Sequence, residues 1–242
     1  MAELKALIAA AGRGSRAGLA FPKTLFPVQG RTILLRIMEL LAPYDEQPTV
    51  IVSLEGKEPI WLQLESAGFV ADLVVQPEPI GMGDAVLCFE QSPAYQQAEH
   101  ILLVWGDIPF IQPDTVASMV KKHFDHDNDF TFVTRKVDSA YTIVSRDAAG
   151  RVMEVIETRE QGITTPQAGE REIGLFIFRK AVTLPALRED LPGKYGKSTC
   201  EHGFLYIIGH LVKHGLRVEA LPIATELDLV SLNSMKDLDN FL

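Results

Sequence analysis

One stretch decides most of what this chain can fold into: residues 6–36, ALIAAAGRGSRAGLAFPKTLFPVQGRTILLR. Its opening, residues 6–11, is a short unbroken apolar run halted by Gly12, the pattern of a buried strand. A loop with glycines at 12, 14 and 18 follows, and residues 31–41 then carry apolar side chains at helical spacing up to Pro43, which predicts a crossover helix. Glycine lets backbone N–H groups reach an anion with no side chain in between, and Arg13, Arg16 and Lys23 bring positive charge to the same place. A strand that runs into such a loop suits a polyphosphate.

Two familiar phosphate patterns fail here. Gly12-x-Gly14-x-x-Ala17 imitates a dinucleotide fingerprint, but the acidic residue that pattern needs about 20 positions on is missing, because that distance lands in Phe-Pro-Lys-Thr-Leu-Phe-Pro. Gly196-Lys197-Ser198 imitates the end of a P-loop, yet Leu191 stands where its first glycine belongs.

Strand and helix patterns alternate through the first half. Strands are expected at residues 49–53, 71–76, 101–105 and 130–136, and helices at 58–67, 83–90 and 113–124. Repeated βαβ units predict an α/β fold whose sheet is mainly parallel and covered by helices on both faces. Ligands of such sheets gather beyond the carboxyl ends of the strands, where Gly12, Gln76 and Asp107 all fall. In the second half, residues 141–145 and 151–156 flank Asp147-Ala-Ala-Gly150 as a hairpin. A strand at 172–178, helices near 181–187 and 204–214, a strand at 217–222 and a terminal helix from Ser234 complete the pattern.

With 242 residues, 47% of them hydrophobic, the chain suits one large domain with a substantial core. A net charge of −9 argues against a nonspecific nucleic-acid binder and makes any anion site local. No apolar run approaches the roughly 18 residues of a membrane span, and the first strand begins at once, so no membrane partner and a cytoplasmic location are expected. Cys88 and Cys200 match neither a metal spacing nor a disulfide framework. His123 and His126, three apart with no third ligand, read as a solvated helix face.

The run Ala10-Ala11-Gly12-x-Gly14-x-Arg16, followed by Pro22-Lys23, resembles the signature of the sugar-nucleotide pyrophosphorylases. The likeness is greatest to the uridylyltransferase domain of bacterial N-acetylglucosamine-1-phosphate uridylyltransferases, and it runs segment by segment through nearly the whole chain. The resemblance implies a Rossmann-like three-layer nucleotidyltransferase fold with a mixed, mainly parallel sheet. It would form a single domain, with a nucleotide half at about 1–136 and an acceptor half at about 137–242. The acyltransferase repeats that follow in the resembled enzymes have no counterpart here, so that second activity is not expected.

The implied reaction transfers a nucleoside monophosphate from a triphosphate, UTP favoured, to a sugar 1-phosphate and releases pyrophosphate. Such chemistry needs charge neutralisation and in-line positioning more than a covalent nucleophile. The resemblance assigns Arg16 to the departing phosphates and Lys23 to the α-phosphate and the incoming phosphate, with Ala10, Ala11, Gly12, Arg13 and Gly14 lining the loop. Gln76, Gly81 and Met82, in Gln-x-x-x-x-Gly-Met-Gly, would read the base; Met82 stands where the family writes threonine. Asp107, following the apolar strand that ends in Trp105, would hold Mg²⁺, an ion that binds through one or two carboxylates plus phosphates. Asn233 would complete the metal shell, or else cap the terminal helix, and Asp228 is a nearby competitor. Glu157 would bind the acceptor's hydroxyls. Gly174 occupies the place of a sugar-binding asparagine, and Tyr141-Thr142 replaces a Tyr-Gly pair, two departures that point away from N-acetylglucosamine 1-phosphate. The glycine-punctuated residues 193–202 read as a connector or as an active-site loop. A non-sugar phosphate acceptor, or a noncatalytic nucleotide-sugar-binding role, are the alternative readings.

Overall fold

The computed structural model describes residues 3–12, 18–162, 165 and 167–232. The first strand, β1 (Leu4–Ala9), is followed by the short hairpin β2 (Pro27–Val28) and β3 (Arg31–Thr32), then α1 (Ile33–Leu41). The hairpin turns on Gln29 and Gly30, both at positive φ (51° and 76°), as a two-residue turn of this hand requires. The helix therefore starts two residues later than its sequence periodicity indicates, with the Thr32 hydroxyl accepting from Leu35 N at 3.4 Å as its cap.

The remaining elements are β4 (Thr49–Ser53), α2 (Lys57–Ser66), β5 (Asp72–Gln76), α3 (Met82–Leu87), β6 (His100–Trp105), α4 (Pro113–Asp125), β7 (Phe130–Ala140), β8 (Thr142–Arg146), β9 (Val152–Glu157), β10 (Gln167–Arg179), α5 (Lys180–Arg188), α6 (Ile207–Lys213) and β11 (Val218–Leu221). Seven strands form the central sheet in the order β11-β7-β10-β6-β1-β4-β5. Pairings on the nucleotide side are all parallel, and β10 alone runs antiparallel to its neighbours β6 and β7. The sheet is thus mixed and mainly parallel, as expected.

Alternation along the strands divides the core. Ile8, Leu102 and Val104 face one cluster with α1 and α4, whereas Leu7, Ile101 and Leu103 face another that includes Phe130, Phe132, Phe176, Phe178 and Phe204. The five phenylalanines pack with ring centroids 5.2 to 6.3 Å apart, the spacing of stacked and edge-on pairs.

The β8–β9 hairpin is held against the main sheet by two carboxylates on one face of β10. Glu170 takes Arg146 and the Thr134 hydroxyl, and Glu172 takes Thr142. Burial alone would raise the Glu170 pKa, but its bonds to Arg146 and Thr134 hold it below the ordinary value.

Two elements differ from their sequence reading. The helix α2, whose periodicity reads as amphipathic, leaves Trp61 and Leu62 about half exposed and buries only Ile60 and Leu64, so it is weakly sided. His123 is a core residue with no exposure, not a solvated one. It lies on the inward stripe of α4 with Val116 and Met119, and its ring bonds to His100 Nδ1 and Thr131 Oγ1 at 2.8 Å each. His126, at the helix cap, is half exposed and bonds Glu219. The helix expected from Ser234 lies outside the described residues.

Candidate active site

Beyond the carboxyl ends of β1, β5 and β6 lies a cleft of about 950 Å³. It is lined by Ala10, Ala11, Gly12, Lys23, Gln76, Gly81, Met82, Asp107 and Glu157 among others, so nine of the expected site residues share one cavity. Arg13, Gly14, Arg16 and Asn233 lie outside the described residues.

Local geometry explains how the two charged residues meet. Lys23 opens a 3-10 turn behind Pro22, with Leu25 N donating to Pro22 O at 2.9 Å. Asp107 follows Gly106, whose N–H donates to Ala9 O at 2.9 Å. A Cβ on Gly106 would sit 2.7 Å from that same oxygen, so only glycine lets the end of β6 lie this close to the end of β1. As a result Lys23 Nζ contacts Asp107 Oδ2 at 3.0 Å, across 84 residues of sequence. Both side chains retain some exposure, at 17% and 22%.

Gln76 is almost fully buried. Its amide nitrogen donates to Gly81 O at 3.1 Å and to Asp84 Oδ2 at 2.9 Å, so what it offers a ligand is its carbonyl oxygen. The Gly83 N–H is also committed, to His202 O at 3.0 Å, while His202 N donates to Ile80 O at 2.6 Å. A Cβ would lie 2.3 Å from His202 O at Gly81 and 2.1 Å from Gly203 O at Gly83. These glycines therefore make room for the main chain of a segment that sequence reasoning left between connector and active-site loop.

That segment is a strap. At its other end Ser198 N and the Thr199 hydroxyl donate to Glu160 at 2.8 and 3.1 Å, and its residues form much of the cleft wall. It thereby joins the nucleotide-side loop to the acceptor side. Its signal in the sequence was the glycine spacing on the loop opposite, not anything in the strap itself.

On the acceptor side, burial raises the Glu157 pKa, with Glu160 and Glu201 adding to the shift and Arg159 offsetting it. Gly174 is not part of the cleft wall. It sits at an irregularity of the β10–β7 register with φ +80°, where a Cβ would lie 2.5 Å from Ile108 Cδ1. Any larger residue would displace the floor under Trp105 and Ile108. Asp228 is no competitor for a metal: it is fully buried and accepts from Gln112 N and Thr115 Oγ1 at the start of α4 and from Thr225 N and Oγ1. Leu232 N donates to Asp107 O at 2.9 Å, so the chain immediately before Asn233 passes beside the candidate metal carboxylate.

The arrangement can neutralise a polyphosphate at Lys23, present one carboxylate to a metal at Asp107, and face an acceptor with Glu157. Comparisons with known proteins place the chain as a whole. Bifunctional protein GlmU of Gloeobacter violaceus is 30% identical over 98% of this chain and 48% of its own length. The GlmU of Carboxydothermus hydrogenoformans is 26% identical over 95% of this chain and 50% of its own. The chain thus spans about half the length of these curated relatives. Among solved structures, a putative glucose-1-phosphate thymidylyltransferase from Bacillus anthracis, in complex with a sucrose, superposes with a TM-score of 0.78 at 16% identity, covering 98% of this chain and 93% of that one. A UDP-glucose pyrophosphorylase complexed with UDP-glucose gives 0.75 at 18% identity, covering 93% of this chain and 91% of that one. Both share the fold. Residues 6–199 match the family described as the MobA-like NTP transferase domain, and the chain belongs to that family.

Proposed function

We propose that this protein is a Mg²⁺-dependent nucleotidyltransferase that joins a nucleoside monophosphate, from UTP by preference, to a sugar 1-phosphate. The observation that carries the reading is the Lys23–Asp107 contact inside a cleft that also holds Gly12, Gln76 and Glu157. An oxygen of the acceptor phosphate bonds to the α-phosphorus as the bond from that phosphorus to the bridging oxygen breaks, and pyrophosphate leaves. Lys23 balances charge on the α-phosphate and the incoming phosphate, and the loop amides after β1 orient the triphosphate. Arg16 is assigned the departing phosphates.

The donor set fits magnesium. Asp107 supplies one carboxylate beside the phosphate site, with Asn233 proposed as a second protein ligand. Among the described residues no three His, Cys, Asp or Glu side chains could hold a metal by themselves. Phosphate and water would supply the other ligands, as Mg²⁺ favours. When bound, the ion would neutralise phosphate charge during transfer. The preference for UTP is supported by Gln76: with both amide hydrogens engaged, its carbonyl oxygen suits the N–H of an imide edge. A non-sugar phosphate acceptor is the second reading, favoured by Gly174 lying outside the cleft wall.

The test is pyrophosphate release across a panel of triphosphates and sugar phosphates with Mg²⁺, polyol phosphates and phosphocholine included. Turnover with UTP and a hexose 1-phosphate is expected. Ligand-induced thermal shifts with no release from any pair would instead mark a binding protein.

A further inference from the structure

Behind the cleft wall lies a carboxylate that the proposed reaction does not touch. Glu172 on β10 has no exposed surface. Its Oε1 accepts from the Thr142 hydroxyl at 3.3 Å, and its Oε2 accepts from Gly174 N at 2.6 Å. Each partner leads towards one of the two working carboxylates. Thr142 pairs directly with Glu157 in the β8–β9 register. Gly174 packs against Trp105 and Ile108, with a Cβ built there 2.9 and 2.5 Å from them, and these residues bracket Gly106 and Asp107.

We propose that Glu172 is a positioning residue that fixes the acceptor carboxylate Glu157 relative to the metal carboxylate Asp107. A single rigid side chain with two acceptor oxygens can hold both elements at once. The proposal builds on the nucleotidyl-transfer reading, but one part of its test does not need turnover. Burial pushes the Glu172 carboxyl up to about 7, against the pull of Gly174 N–H, Arg171 and Thr142, while Glu157 pushes it further up. Tyr141 is the other titratable group facing it, and Glu172 raises the pKa of that hydroxyl after burial has done so. When protonated, Glu172 can donate from Oε1 to Thr142 Oγ1 and still accept from Gly174. The bridge then survives and only the charge felt beside Glu157 changes.

Steady-state rates, measured with the best pair from the substrate panel, test the bridge through Thr142→Val, Glu172→Ala and Glu172→Gln. Thr142→Val and Glu172→Ala are expected to raise the acceptor KM at least fivefold and the triphosphate KM less than twofold. Glu172→Gln, which can accept from Gly174 and donate to Thr142, should stay within twofold of the unchanged protein on both. Combining Glu172→Ala with Glu157→Ala should cost no more than Glu157→Ala alone, since one acts through the other. Equal effects on both KM values, or full additivity in the double variant, would overturn the proposal. If Glu172→Ala does not fold, the contrast between Thr142→Val and Glu172→Gln decides the question in its place.

The second readout uses Trp105, the only tryptophan left in a Trp61→Phe background. Its emission should follow one ionisation near neutral pH, and Glu172→Gln should flatten that response. A titration unchanged by Glu172→Gln would overturn the link to the cleft floor. A normal titration in a protein that turns over no substrate pair would overturn only the enzymatic reading.

Discussion

Lys23 and Asp107 illustrate how little is needed to define a phosphate site. Each is placed by the backbone immediately before it, a proline-led turn in one case and a glycine in the other, and the contact closes a gap of 84 residues. Lys23→Ala is expected to slow the chemical step by on the order of a hundredfold, the scale of one lost charge contact in a preorganised site. Asp107→Ala should abolish turnover with the fold intact by circular dichroism. Full activity in both variants would remove the mechanism. Glu172 makes a different prediction, about stability. Its carboxyl is pushed from an ordinary 4.5 up to about 7 by burial, so the folded state binds the extra proton between those values. Stability from this group is therefore present below about 4.5 and lost as pH rises through 7. Glu172→Gln should raise the melting temperature by a few degrees at pH 8 and by much less at pH 5; equal shifts at both would count against the raised pKa.

Among the elements, the strap across residues 193–203 is the most consequential, because main-chain bonds fasten it to the loop before α3. Gly83→Ala would place a methyl group 2.1 Å from Gly203 O, a contact that only movement of the strap can relieve. Trypsin should then cut at Lys194 or Lys197 several times faster than in the unchanged protein, with a parallel loss of turnover. Unaltered cleavage would mean the strap is held elsewhere. The βαβ alternation was legible because buried strands and helix periodicity are local signals, and the shared cleft of Gly12, Gln76 and Asp107 was legible because all three fall just beyond strand ends. The strap was not, since its bonds to the loop before α3 join backbone atoms that leave no mark on its own residue types, and its other anchor, Glu160, lies 38 and 39 residues from Ser198 and Thr199 in sequence. His123 was misread for a related reason: its place on the stripe with Val116 and Met119 was visible, but histidine at a helix end suggests solvent until its buried partners, His100 and Thr131, are known. Gly174 looked like a lost ligand; its positive φ and the crowding by Ile108 show a backbone requirement instead.

At the scale of the whole molecule, ionisable groups are separated along the sheet. Asp107 lies beyond the carboxyl end of β6, whereas His100 opens that strand and pairs with His123. Burial lowers both histidines, His123 to about 3, with His100 and Arg179 adding to its shift. At this pair the unfolded chain therefore binds more protons than the native one between about 3 and 6.5, and the pair's contribution to stability falls as pH drops through that range. Glu172 opposes this trend, so Glu172→Gln should steepen the acid limb of a denaturant-midpoint profile. An unchanged limb would exclude such opposition. Because the histidine pair is remote from the cleft, the pH profile of turnover should not track that of unfolding.

The way the strap is fastened also bears on redesign. Its hold on Ile80 and Gly83 runs through peptide groups, which every amino acid except proline supplies alike. Side chains at Tyr195, Lys197 and Glu201 face the cleft from a path that the opposing Gly81 and Gly83 dictate. A combinatorial library at those three sites, built with both glycines retained, would vary the chemistry shown to an acceptor while leaving the scaffold that presents it unaltered.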